Sequence, residues 1–393
     1  MSGTSGDDFL SAGNGNGQFL NGEAGNDTLV AGGGEGQQLE GGDDDDSLQG
    51  GNGSSQSLYG DAGNDTLVAG GGSNQILIGG DDADSLLGDG ADNVLDGGSG
   101  DDTLSGLGGN NTLVGGAGTD LAIYANATGA VTVDLGAGTA SGADGTDSLT
   151  GIENILGGIR DDSILGDGLA NVLDGGAGND TLSGGAGTDL AIYANATGAV
   201  TVDLGAGTAS GADGNDSLTG IENILGGNFA DSILGDGLAN VLDGGAGNDT
   251  LSGSAGTDFA SYTSATGAIT VDLGAGTSSG ASGNDSLTGI ENVLGGNGND
   301  SILGDGLANV LDGGAGNDTL SGGAGNDTLI AGNGTDSLLG GADADSLQGG
   351  NGSVQGLSGE AGNDTLVAGG GSNQYLDGDD GADSLQGGNG ELQ

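Results

Sequence analysis

The chain has 393 residues, of which 100 are Gly and none are Pro, Cys or His. Its 58 carboxylates face a single cation, Arg160, for a formal net charge of −57. That balance argues against nucleic acid and anionic membrane surfaces as partners, since both need clustered cations, and the absence of Cys rules out disulfides and thiolate metal sites. No apolar run reaches the roughly 18 residues of a membrane-spanning helix, so no membrane insertion is expected. No leader follows Met1, so export would use a route without a cleaved signal. So much charge with so few aromatics is the composition of a disordered chain. Leu recurs at fixed intervals, however, and that is the signature of a regular array. A hard divalent cation is the natural partner for this density of carboxylate.

The array begins near Gly3. Over 3–96 acidic turns recur every 19 residues, at Asp8, Asp27, Asp46, Asp65 and Asp84. Between them, with the same period, stand Gln18, Gln37, Gln56 and Gln75. The unit is a nonapeptide, Gly-Gly-x-Gly-x-Asp-x-Leu-x. Its last three residues, such as Thr28-Leu29-Val30, alternate polar and apolar and predict a short strand with Leu inward. Its first six are Gly-rich and predict a turn with positive φ at several places. Strand, turn, strand, turn makes one flattened coil, and stacked coils make an all-β parallel solenoid. Its core is the Leu column Leu10, Leu20, Leu29, Leu39, Leu48, Leu58, Leu67, Leu77 and Leu86. One edge is then an Asp column that carries ions. The other is a Gln column whose stacked amides bond to one another up the column and need none.

Residues 97–114 run in uninterrupted nonapeptides, with Asp102, and are expected to carry Asp turns on both edges. Three tandem units of 69 residues follow over 115–321. Each holds a more apolar strand (VTVDL or ITVDL) and a GIENILGG or GIENVLGG stretch. They predict wider coils with a fatter core around Tyr124, Val131, Val133, Ile152 and Ile155. Their acidic turn positions are Asp120, Asp147, Asp180, Asp189, Asp216, Asp249, Asp258, Asp285, Asp300 and Asp318. Arg160 and Phe229 interrupt two further turns, where an ion is not expected. Nonapeptides resume over 322–345 with Asp327, Asp336 and Asp345, again expected on both edges. The 19-residue pattern then returns, with Asp364 and Asp383 alternating with Gln355, Gln374 and Gln393. The chain therefore divides into 1–114, 115–321 and 322–393.

Stacking sets one Asp above another at about 4.8 Å, a repulsive arrangement unless a cation lies between them. Bare Gly carbonyls in the same turns complete a set of oxygens suited to Ca²⁺, which takes six or more at about 2.3–2.6 Å. The copies GGAGNDTLS (175–183 and 313–321) and GGAGNDTLI (322–330) resemble the haemolysin-type RTX calcium-binding repeats, and the resemblance extends over nearly the whole chain. It implies a parallel β-roll. It also implies multiple Ca²⁺ ions held between coils by the sixth-position Asp and turn carbonyls, and an extracellular or cell-surface location reached by type I secretion.

With no His, Cys or Lys, most general-base and nucleophile assemblies are unavailable. Paired carboxylates such as Asp43 and Asp46 lie in repeat turns with no evident pocket, so no enzyme is expected. The 19-residue coil also resembles the ice-binding segment of certain bacterial adhesins, but Ala24, Asp44, Ala62, Asp82 and Ala361 stand where those carry Thr. The expected function is a secreted, calcium-rigidified structural protein of an extracellular filament, surface layer or matrix, with a stalk or spacer of a bacterial adhesin and an ice-binding solenoid as the alternatives. Its expected partner is itself, head to tail: Gln393 stops at the sixth position of a Gln turn. Met1 and Ser2 precede Gly3 so that Met1 would fall in the Leu column.

Overall fold

The computed structural model describes residues 1–352, 355–370 and 373–388. It contains strands and turns and, among the described residues, no helix. Two compact units are present: Met1–Ala191 with Gly214–Ile221, and Ile192–Asp213 with Glu222–Gln393. Each is a β-solenoid built largely from parallel strands.

In the first unit the three-residue strands Phe9–Ser11, Thr28–Val30, Ser47–Gln49, Thr66–Val68 and Ser85–Leu87 pair in parallel, with Leu10, Leu29, Leu48, Leu67 and Leu86 in register. The intervening strands Phe19–Ala24, Gln38–Asp43, Ser57–Ala62, Gln75–Asp81 and Asn93–Ser99 form a second parallel sheet, with Leu20, Leu39, Leu58, Leu77 and Leu95 in register. The expected Leu column is thus two rows, one per sheet. From Leu20 to Leu95 every member of both is at most 1% exposed. Burial alternates along each short strand, because successive side chains point to opposite faces.

The turn glycines have separate causes. At the second and fourth turn positions φ is positive, as at Gly80 (134°) and Gly63 (125°), where Gly is the unstrained residue. Acidic residues take these places at Glu23, Asp44 and Asp61, with φ of 82°, 80° and 79°. At the first position space decides: a Cβ on Gly41 would collide with the Asp46 carboxylate and come within 2.7 Å of Gly60 O.

The 69-residue copies depart from expectation. Instead of widening the coil, each inserts an antiparallel hairpin. Val131–Asp134 pairs antiparallel with Thr139–Gly142, which pairs antiparallel with Gly145–Thr150. The hairpin's outer strands then rejoin the parallel stack, Val131–Asp134 on Ser163–Leu165 and Gly145–Thr150 on Thr112–Ala117. The tight turn LGAGT closes it, with Gly138 at φ 68° and Ala137 N–H donating to Asp134 Oδ1 at 2.8 Å. In the second unit Thr201–Asp203 pairs antiparallel with Thr208–Gly211, and Ile269–Asp272 with Thr277–Gly280. The apolar residues expected around the first copy are buried: Val131, Val133, Ile152 and Ile155 are 1–5% exposed. The other expectation for 97–114 is also corrected. The sixth residue of its second nonapeptide is Asn111, so only one edge there carries Asp. Over 322–345, Asp327 and Asp345 are adjacent on one edge while Asp336 follows Asp318 on the other.

Candidate metal centre

The acidic row on one edge of the first unit is built by a repeated bond. The backbone N–H of each Asp donates to Oδ1 of the Asp one coil later: Asp8 to Asp27, Asp27 to Asp46 and Asp46 to Asp65 at 2.7 Å, Asp65 to Asp84, Asp84 to Asp102 and Asp102 to Asp120 at 2.8 Å. This fixes each carboxylate in the gap between coils. It uses one oxygen. The second, Oδ2, of Asp27, Asp46, Asp65, Asp84, Asp102 and Asp120 is buried with no hydrogen-bond partner. The same holds for Asp180 in this unit and for Asp249, Asp258, Asp318, Asp327, Asp345 and Asp364 in the second.

An ionised oxygen buried without a donor is costly. The carboxyls respond accordingly. Burial is the largest cause and pushes Asp65, Asp84, Asp180, Asp249 and Asp318 up to about 7, from an ordinary 3.8. The N–H bond to Oδ1 opposes it, and neighbouring carboxylates push upward again. Asp46, Asp102 and Asp345 rise to about 6 for the same reasons, and Asp120, Asp258 and Asp327 are raised as well. A cation in the gap would reverse the preference by favouring the ionised form.

The residues fit such a cation. An added Cβ at Gly22 would meet both Asp27 Oδ2 and Gly41 O of the next coil, so these two oxygens stand close together beside one glycine. Gly41 shows the same pair, Asp46 Oδ2 and Gly60 O, as do Gly60 with Asp65 and Gly79 O, and Gly79 with Asp84 and Gly97 O. Carboxylate and carbonyl oxygens gathered in this way are the donor set of a hard cation such as Ca²⁺. Among the described residues no group of three acidic side chains converges. A cation would therefore rely on backbone carbonyls for much of its shell.

Other predicted positions are already satisfied. Asp8 Oδ2 accepts from Thr4 N–H at 2.6 Å and from the Thr4 hydroxyl. Asp147 Oδ2 accepts from the Tyr124 hydroxyl at 3.2 Å; Asp285 Oδ2 accepts from the Tyr262 hydroxyl at 3.2 Å and the Ser278 hydroxyl at 2.5 Å. These two aspartates stand beside the inserted hairpins, where a tyrosine reaches the oxygen that stays open elsewhere. Asp300 accepts from Ile269 N–H on Oδ1 and from Gly296 N–H on Oδ2. The turns interrupted by Arg160 and Phe229 do likewise: Asp162 accepts from Val131 and Gly158 N–H, and Asp231 from Val200 and Gly227 N–H. In all three, hairpin backbone takes an oxygen. Asp336 Oδ2 accepts from Gln355 Nε2. Asp189, Asp216 and Asp383 each take a backbone N–H on Oδ1, from Asn171, Asp180 and Asp364.

Two residues in the acidic rows lie outside the expected set. Asp120 N–H donates to Glu153 Oε2 at 2.9 Å, and Asp258 N–H to Glu291 Oε2 at 2.9 Å. Each Glu does for its row what Oδ1 of the next Asp does elsewhere. A Cβ on Gly115 would meet both Asp120 Oδ2 and Gly151 O, and one on Gly253 would meet Asp258 Oδ2 and Gly289 O. The pair of oxygens beside the first-position Gly thus recurs, with Glu in place of the next Asp as the acceptor of the N–H. The GIEN turn is shorter than a nonapeptide turn, and the longer side chain covers the difference.

The Gln row is also corrected. Gln37, Gln56 and Gln75 are at most 1% exposed, as a column requires. Their side-chain bonds run to backbone, with Gln37 Nε2 donating to Gly13 O and Gly15 O at 3.3 Å and Gln37 Oε1 accepting from Gly32 N–H at 2.8 Å. These amides are thus bonded to turn backbone and not to one another. Gln393 lies outside the described residues.

A family model described as the RTX calcium-binding nonapeptide repeat (4 copies) matches residues 2–37, 35–54, 40–76, 59–95, 70–104, 87–122, 156–191, 225–260, 294–329, 303–338, 330–353 and 357–375. No curated protein matches the chain. The unmatched stretches 123–155, 192–224 and 261–293 contain the hairpins and the three GIEN turns. With the repeat matched over most of its length and its aspartates ranked along solenoid edges, the chain belongs to the RTX calcium-binding nonapeptide-repeat family, whose turns hold multiple Ca²⁺ ions.

Proposed function

We propose that the chain is a secreted structural protein, a solenoid rod made rigid by calcium, and that copies join head to tail into an extracellular filament, surface layer or matrix. The observation that carries this reading is the run of buried, unpartnered carboxylate oxygens from Asp27 to Asp120. Without a cation, those oxygens repel one another across the coil gaps in a chain of net charge −57. With one, the same oxygens tie the coils together. Folding then follows calcium and belongs outside the cell, where calcium is plentiful; export through a type I channel fits that order of events. On this reading the rod acts by its mechanics.

Head-to-tail joining draws support from the first coil. Asn21 N–H donates to Met1 O at 2.9 Å, and Ser2 bridges Asn21 in parallel register. That register sets Met1 opposite Leu20, in line with a buried Leu row, yet Met1 is 64% exposed. A second copy stacked there would bury it. Circular dichroism of the whole chain in EDTA, then with calcium added, tests the rod: β signal that survives EDTA unchanged at neutral pH defeats it. Negative-stain images in calcium test the assembly, for which fibres are expected. Isolated rods at every concentration would mean the copies do not join.

A further inference from the structure

We propose that the sixth-position glutamine is a tethered substitute for the cation, so that each Gln turn is a calcium site closed by its own side chain. The inference rests on the calcium reading of the Asp rows and extends it to the opposite edge.

Gln37 holds the sixth place of GGGEGQ (32–37), as Asp27 does in GEAGND (22–27), and the two are similarly buried, at 1% and 2%. In an Asp turn a carboxylate oxygen and the first-position carbonyl oxygen one coil later stand beside the same glycine. In a Gln turn the amide nitrogen reaches backbone carbonyls across the coil gap instead. Gln56 Nε2 donates to Gly34 O at 3.3 Å, Gln75 Nε2 to Gly53 O at 3.0 Å, and Gln374 Nε2 to Gly352 O at 3.1 Å, each acceptor lying in the turn one coil earlier. The Gln56 Oε1 accepts from Gly51 N–H of its own turn at 2.6 Å, which aims the nitrogen at those carbonyls. An amide nitrogen carries two donors and no net charge. It can satisfy carbonyl oxygens as an ion would, while adding nothing to the repulsion.

The junction of the two kinds of turn is the clearest case. On the edge shared by Asp318, Asp336 and Gln355, Asp318 Oδ2 has no partner, whereas Asp336 Oδ2 receives Gln355 Nε2 at 3.1 Å. Where the next residue in the row is Gln, the open oxygen is closed. Asn plays the same part in the 69-residue copies: Asn171, Asn240 and Asn309 Nδ2 donate to the carbonyls of Glu153, Glu222 and Glu291 at 2.9, 2.8 and 2.7 Å. Spacing explains which amide is used. Asp27 to Gln37 is ten residues and Gln37 to Asp46 nine, while Asp84 to Asn93 and Asn93 to Asp102 are both nine. The half-coil with an extra residue carries the side chain with an extra methylene.

The test replaces the amide by its isosteric acid, in the full chain, as the triple variant Gln37→Glu/Gln56→Glu/Gln75→Glu. The probe is Ca²⁺ alone, counted by equilibrium dialysis, with thermal unfolding followed in EDTA and in calcium. The variant is expected to bind more Ca²⁺ per chain than the wild type, to melt lower in EDTA, and to recover the wild-type midpoint in calcium. Gln56→Met, which keeps the length and removes the donor, should melt lower in both buffers and bind no additional ion. A triple variant that binds the wild-type number of ions overturns the inference, as does a Gln56→Met protein as stable as the wild type. A wild type that binds no calcium would instead overturn the reading of the Asp rows.

Discussion

The backbone N–H of Asp65 donates to Asp84 Oδ1 at 2.8 Å, while Asp84 Oδ2, in the cradle with Gly97 O, accepts from nothing. One carboxylate thus has two roles. Half of it belongs to the backbone ladder of the solenoid, and half is left for an ion. Removing the ion should therefore leave the coil geometry encoded but electrostatically opposed.

The pH dependence follows from the raised carboxyls. Asp65, Asp84, Asp180, Asp249 and Asp318 titrate at about 7 in the folded chain without metal, against 3.8 ordinarily. A folded value above the unfolded one stabilises the fold fully below the unfolded value, and the stabilisation is lost as pH rises through the folded value. In EDTA the β fold should therefore strengthen as pH falls from about 8 to about 4. Calcium affinity should move the other way, weakening as protons compete through pH 6–7. Far-UV circular dichroism in EDTA across that range checks the first expectation, and equal stability at both ends would contradict it.

Asp65→Asn should cost calcium and relieve repulsion together. The amide can still accept the Asp46 N–H on its oxygen and, like Asn171, turn its nitrogen toward a carbonyl. Bound calcium is expected to fall and the metal-free midpoint to rise. Dialysis paired with thermal melts reads both, and a lower midpoint in EDTA would show that charge is not what the site relieves.

Glu153→Gln and Glu291→Gln should each lower the calcium bound, although both residues lie outside the matched nonapeptides. Glu40→Gln supplies the control, since Glu40 sits on the strand Gln38–Asp43 with Gln38 and Asn21 as partners. Calcium titration by calorimetry should distinguish them. Identical isotherms for all three variants would return Glu153 and Glu291 to a purely structural role.

Gly41→Ala should destabilise by about 1–3 kcal/mol, as overpacking does, because its Cβ meets the Asp46 carboxylate and Gly60 O. Gly6→Ala, with nothing within 4 Å of the added carbon, should change stability by no more than about 0.5 kcal/mol. Melts in saturating calcium compare them, and equal costs would mean that the first-position glycine is not set by space.

Much of this was legible from residue order. The nine-residue period placed Leu29 and Leu39 inside and Asp27 in a turn, because strand and turn chemistry are local. The hairpin Val131–Gly142 was not, since alternation marks a strand without giving the direction of its neighbour. Glu153 escaped because the GIEN turn omits the residues that define the repeat, and only stacking reveals that its side chain reaches Asp120. The bonding of Gln37 depends on Gly13 and Gly15, 24 and 22 residues earlier. Asp147 and Asp285 read as ion ligands by spacing, and only the folded chain brings Tyr124 and Tyr262 to their free oxygens.

The N–H to Oδ1 bond between successive aspartates also gives each coil that carries it a direction along the stacking axis. A coil's N-terminal side presents side-chain oxygens and its opposite side presents backbone N–H groups, as Asp46 shows by accepting from Asp27 and donating to Asp65. Two coils meeting by like sides would set carboxylate against carboxylate, or donor against donor. Mirror-fashion contact through these surfaces is therefore penalised. Any contact that prolongs the rows must keep one sense of travel, as in a one-way track.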